Sequence, residues 1–181
     1  SAEDAIREVE RKAREVLKRS KEEIDKVVKK AEEILKRSKD EVKKVADEIR
    51  RILEEVRRAG ADEKKLRDLA RELEEAIRKL DEIVRRSEKH LRDVVRKLEE
   101  VLKKSAEDIK RVVRELREAA KRKRRLEDVL RRIEKIIRDN AEENKRVLEE
   151  AEEVLKKDEK DNRDVLEELK KILEELKRKA D

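Results

Sequence analysis

Apolar residues recur along this chain at a period that suits a helix. Residues 3–20 (EDAIREVERKAREVLKRS), 21–38 (KEEIDKVVKKAEEILKRS) and 39–56 (KDEVKKVADEIRRILEEV) form three units of one length. Equivalent positions hold Ile6, Ile24 and Val42, then Ala13, Ala31 and Ile49, then Leu17, Leu35 and Leu53. Each unit is 18 residues, about five turns of an undistorted α-helix. At about 100° per residue these positions fill one stripe about 100° wide, as in one helix of a bundle. Residues 70–87, 88–105 and 106–123 repeat the frame, with Leu73, Leu91 and Ile109 equivalent, as are Leu80, Leu98 and Leu116. Residues 127–144, 145–162 and 163–180 repeat it again, with Leu130, Leu148 and Leu166 in register. A heptad repeat forces left-handed supercoiling, whereas five turns per repeat leaves helices nearly straight.

The breaks in this pattern predict the turns. Gly60 is the only glycine and stands in Ala59-Gly60-Ala61-Asp62, a C-cap followed by an N-cap. The second reversal is expected within the basic run Lys121–Arg125, where the stripe loses phase and Glu127-Asp128 suits a new N-terminus. The expected fold is all-α: a single elongated up-down-up three-helix bundle over residues 1–181, with long, nearly straight helices at about 2–59, 62–121 and 125–180. A helix of that length is roughly 87 Å long. Were the basic run helical instead, the second and third helices would fuse, and the chain would dimerise by domain swapping.

Polar residues interrupt the stripes at the same spacing. Ser20 and Ser38 lie mid-stripe in the first helix, Ser87 and Ser105 in the second, Asn144 and Asn162 in the third. For antiparallel helices, residue numbers at one level have a constant total. Ser20 with Ser105 and Ser38 with Ser87 both total 125; Ser105 with Asn144 and Ser87 with Asn162 both total 249. The reversal points these totals imply fall at the Gly60 turn and inside the basic run. Two polar layers follow: Ser20, Ser105 and Asn144 in one, Ser38, Ser87 and Asn162 in the other. Asn140 and Asp158 lie one turn earlier on the third stripe. Buried hydroxyls and amides cost free energy unless paired, so interhelical hydrogen bonds are expected in each layer, where they would specify register. The alternative is that each serine bonds the carbonyl one turn back in its own helix. His90 with Asp158 and Asp108 with Asn140 share a further total, 248. His90 is therefore expected to donate to Asp158, with Asp158 losing its stabilising charge in acid.

Composition narrows the origin of the chain. Of its residues 60% are charged, with 57 basic and 51 acidic side chains, and Pro, Cys, Met, Phe, Tyr and Trp are absent. Thr and Gln are missing as well. Near-balanced charge and strict apolar periodicity argue against the disorder that high charge alone would suggest. The restricted alphabet, the 18-residue unit and the centred Ser and Asn positions resemble de novo designed helical bundles built from straight helices with buried hydrogen-bond networks. That resemblance covers the whole chain. It implies a scaffold or assembly part and no natural activity.

The residues themselves point away from chemistry. His90 is the only histidine, there is no cysteine, and no glycine-rich phosphate loop exists. No enzyme activity, cofactor or metal is expected; His90, Asp108, Asn140 and Asp158 would have to converge to hold a metal. Lys121–Arg125 suits a phosphate or a localisation signal by charge, but a basic helix end explains it and no aromatic residue is present to stack on bases. No apolar run approaches the roughly 20 residues that cross a bilayer. Neither nucleic acid nor membrane is expected as partner. The opening Ser suggests a cleaved expression tag, and recombinant expression should give soluble, cytoplasmic protein. The expected function is a structural scaffold whose polar core layers specify register. The alternative is an interaction module that pairs with another helix or with a copy of itself.

Overall fold

A computed structural model describes residues 2–121 and 127–181 of the chain. Three α-helices make up nearly all of it: α1 over Ala2–Ala59, α2 over Glu63–Ala120 and α3 over Glu127–Ala180. They form an up-down-up three-helix bundle, and no strand occurs among the described residues.

The first turn forms where the residue types put it. Gly60 has φ of 60°, left-handed backbone that side chains with a Cβ rarely adopt. A Cβ there would meet no atom within 4 Å, so the backbone angle, not space, calls for glycine. The Asp62 amide donates to the Ala59 carbonyl at 3.2 Å. Asp62 then caps α2, its Oδ1 accepting from the Lys65 amide at 3.3 Å. Arg57 and Arg58 close α1 against the negative end of its dipole. At the second reversal Lys121 stands in a turn, its amide donating to the Arg117 carbonyl at 3.1 Å. The rest of the expected turn, Arg122–Arg125, lies outside the described residues.

The chain divides into two compact units, residues 1–30 with 93–153 and residues 31–92 with 154–181. In the first unit a small core joins Val9 and Ala13 of α1 to Val112 and Leu116 of α2, with Val16, Leu130 and Ile133 packed against it. None of the described side chains of 127–153 is buried. In the second unit the core is larger. It runs from Val45, Ile49 and Ile52 through Leu66, Leu73 and Leu80 to Leu166, Leu173 and Leu176. Ile52 and Leu73 have no exposed surface.

Each unit shows its own seams. In the first, Lys12 pairs with Glu115 across α1 and α2 at 3.5 Å, and Arg117 with Glu134 across α2 and α3 at 3.1 Å. In the second, Arg92 pairs with Glu159 at 2.8 Å and Lys177 with Glu74 at 3.4 Å, both across α2 and α3. The residue numbers of these three α2–α3 pairs each total 251. That is two above the total expected from the polar positions, or about half a helical turn.

Candidate functional site

The polar core positions are the chain's only departure from an aliphatic stripe, so they are where any site would start. Ser20, Ser87 and Ser105 are buried, while Ser38, Asn140, Asn144, Asp108, Asp158 and Asn162 are half-buried. In the first unit Ser20 Oγ, Ser105 Oγ and Asn140 Nδ2 are buried with no hydrogen-bond partner. Neither of the expected arrangements forms there: Ser20 and Ser105 bond neither across the layer nor to the carbonyl one turn back. A small hydroxyl at the centre of a stripe does not span the distance between helix axes that aliphatic neighbours set.

In the second unit the polar group takes a different form from the one expected. Asn162 Nδ2 donates to Asp158 Oδ2 at 3.3 Å, within one turn of α3. His90 is exposed and does not serve as that donor. The physical reason is azimuth. Totals of residue numbers fix the level of two residues but not the side of the helix each occupies. His90 lies about 80° from the centre of the α2 stripe on the edge away from α3. Glu88, two residues earlier and so about 200° round the helix, lies on the edge facing α3.

Glu88 is therefore the residue that joins Asp158, Glu159 and Asn162, and the core-layer reading missed it. Its side chain is only 16% exposed, that of Glu159 22%. Arg92 serves both, at 2.8 Å from Glu159 and 3.9 Å from Glu88. A signal did exist: Glu88 opens its repeat where the neighbouring repeats have Ala70 and Ala106. A carboxylate in an alanine position flanking the stripe is brought against the next helix.

Burial and crowding shift the titration of two of these carboxylates, Glu88 and Asp158. Burial pushes the Glu88 carboxyl above its ordinary range, with Glu159 and Asp158 adding repulsion, against the pull of Asn162 and Arg92. Burial likewise raises Asp158, with Asp161 and Glu159 adding to it, while the Asn162 hydrogen bond opposes the shift. Asp158 was expected to lose stabilising charge in acid, and the structure reverses that sign. A group whose folded pKa is raised contributes stability that is fully present below its unfolded pKa and is lost as pH rises through the folded value. Urea unfolding should accordingly show the chain gaining stability from these two groups as pH falls from 7 towards 4.5. Glu88→Gln should flatten that slope. An unchanged slope in the variant would place the Glu88 carboxyl in water.

Among the described residues no group of three or more His, Cys, Asp or Glu side chains is arranged to hold a metal ion. Asp108 and Asn140 belong to the first unit, His90 and Asp158 to the second. No helix among the described residues is long and apolar enough to cross a membrane.

No family model matches the chain, and no curated protein does. Among solved structures, one described as a computationally designed three-helix bundle is similar, with 18% identity and a TM-score of 0.42, over 99% of this chain and 83% of that one.

Proposed function

We propose that the chain is a designed, non-enzymatic structural scaffold whose polar core positions select one helix register. The observation that carries this is the sequence of layers. Val56, Leu69 and Ala180 are the next repeat equivalents of Ser38, Ser87 and Asn162. They lie together in the second unit's core, where Leu69 and Ala180 are buried and Val56 packs against them. Each helix thus carries two polar levels and one apolar level at one spacing. An 18-residue repeat makes a slip by one unit, about 27 Å, nearly invisible to the aliphatic stripes. The polar levels make it costly at Ser38 and Asn162, which are half-buried at their own level and would be sealed against the apolar level by the slip. An amide or hydroxyl buried without a partner costs about 1–3 kcal/mol. The absence of eight residue types supports a designed origin.

The experiment replaces Ser20, Ser38, Ser87, Ser105, Asn144 and Asn162 together with aliphatic residues. Spin labels on cysteines at positions 74 and 177, where the parent chain pairs Glu74 and Lys177 across α2 and α3, report register. The parent should give one narrow distance. The variant should keep or exceed the parent's stability while its distances spread or split. A single unchanged distance in the variant would leave register to the aliphatic stripes alone.

A second reading is an interaction module. Ile136, Val154 and Val165 are more than half exposed, whereas the other large aliphatic side chains described in α3 are half-buried or buried.

A further inference from the structure

We propose that the α1–α3 groove of the second unit binds one amphipathic helix of a separate polypeptide, with an acidic edge along α1 and a basic edge along α3. The proposal rests on the interaction-module reading and gives it a place and a partner chemistry. Two of the unit's three seams are located by the residues that line or cross them. A groove between α1 and α2 is lined by Glu55 and Arg58 facing Lys65 and Glu72. The α2–α3 seam carries the Arg92–Glu159 and Lys177–Glu74 ion pairs. Leu35 lies about 160° round α1 from Glu55, and Val154 and Val165 about 120–140° round α3 from Glu159 and Lys177. These three side chains therefore stand on the edges that α1 and α3 turn towards one another. They are 37%, 58% and 51% exposed.

Their repeat equivalents behave differently. Leu53 occupies the Leu35 position and Ile172 the Val154 position one unit on, and both pack against the second unit's core. The pattern thus places apolar residues for burial along the whole edge, and the chain covers only the part near the Gly60 turn. Outside the apolar line the two rims have opposite sign. Lys36, Lys39 and Lys43 flank Leu35 on α1, with Glu32 the exception; Asp161, Asp164 and Glu168 flank Val165 on α3, with Lys157 the exception. All six flanking residues are exposed, and none makes an ion pair or side-chain hydrogen bond. Opposite rims left unpaired across an apolar strip suit a helix lying between them, antiparallel to α1 and α3. Its aliphatic face would cover Leu35, Val154 and Val165, its glutamates would meet the lysines, and its lysines the carboxylates.

The test uses the full chain and two synthetic 25-residue helices. One carries an aliphatic stripe with glutamates on the α1 edge and lysines on the α3 edge; the other has the edges exchanged. Calorimetry should give the first a Kd of about 1–10 μM. The edge-exchanged helix should bind about tenfold more weakly or worse, and so should the first helix to a Val154→Asp, Val165→Asp chain. Both substitutions lie on exposed positions, so circular dichroism should show the variant folded. Equal binding of the two helices would overturn the charge assignment, and with it the proposal. Should the chain instead sediment as a dimer that the double variant abolishes, a second copy is the occupant. The separate-helix proposal then falls while the interaction-module reading stands. No binding by a chain that stays monomeric overturns both.

Discussion

Leu73→Ala is expected to cost about 4 kcal/mol, towards the upper end of the range measured for Leu→Ala in well-packed cores. Leu73 has no exposed surface and lies in the larger of the two cores. Its buried neighbours on α2 include Ala70 and Ala76, which are too short to move into the space it leaves. The transfer loss is then compounded by a cavity that stays open. Leu116→Ala provides the comparison. Leu116 is 2% exposed, but among the described residues its core holds three other buried side chains, Val9, Ala13 and Val112. The α3 residues beside it, Leu130 and Ile133, are half-buried and free to collapse inwards. A loss of about 2–3 kcal/mol is expected there. Urea unfolding measures both changes, and amide hydrogen exchange reads the two units separately. Equal losses at Leu73 and Leu116 would show that the first unit's core packs as tightly in solution as the second's.

The first reversal was legible because its local signals agreed, whereas the second, in Lys121–Arg125, has no Gly, Pro, Asn or Ser and is marked only by the lost stripe phase and the flanking charges. One glycine in the whole chain, followed two residues later by aspartate, marks the α1–α2 turn, and Gly60 is where the backbone turns left-handed. Fifty-eight residues of α1 without proline or glycine leave the backbone no competing structure. What repeats cannot reveal is which copy of a repeat is covered. Leu35 and Leu53 occupy equivalent positions, yet one is exposed and the other packs on the core. Burial depends on what stands opposite, and identical units carry no record of that. Ile6 and Ile24 differ too, the first buried and the second half-buried.

The candidate site was legible in level but not in direction. Constant totals place His90 and Asp158 at one height, and they are silent on which edge of α2 faces α3. The α2–α3 ion pairs supply that edge, and it belongs to Glu88. Attention to the stripe centre also hid Glu88, since a flanking residue enters a site only once two helices have met. The serines had the opposite history. Of the four central serines, Ser20, Ser87 and Ser105 are buried and Ser38 is half-buried. Whether a central hydroxyl finds a partner depends on tenths of an ångström between helix axes, which no spacing encodes.

Ser20→Ala and Ser105→Ala should each stabilise the chain, against the usual sign for a core substitution. Both hydroxyls are buried and have no hydrogen-bond partner, so folding strips them of water with nothing in return. Removing such a group recovers about 1–2 kcal/mol of desolvation. Alanine adds a few tenths more through its helix propensity, at about 0.5 kcal/mol over serine in an interior position. The cavity left by one oxygen is small beside these gains. Ser38→Ala is the control: its side chain is half-buried and reaches solvent, so a change within about 0.5 kcal/mol is expected. Denaturant melts of the three single variants and of the Ser20→Ala, Ser105→Ala pair decide it. The pair should be additive, because neither hydroxyl partners the other. If either single change destabilises by about 1 kcal/mol, that hydroxyl has a partner in solution. A coupling energy above about 0.5 kcal/mol in the double variant would then place that partner across the layer instead of one turn back in the same helix.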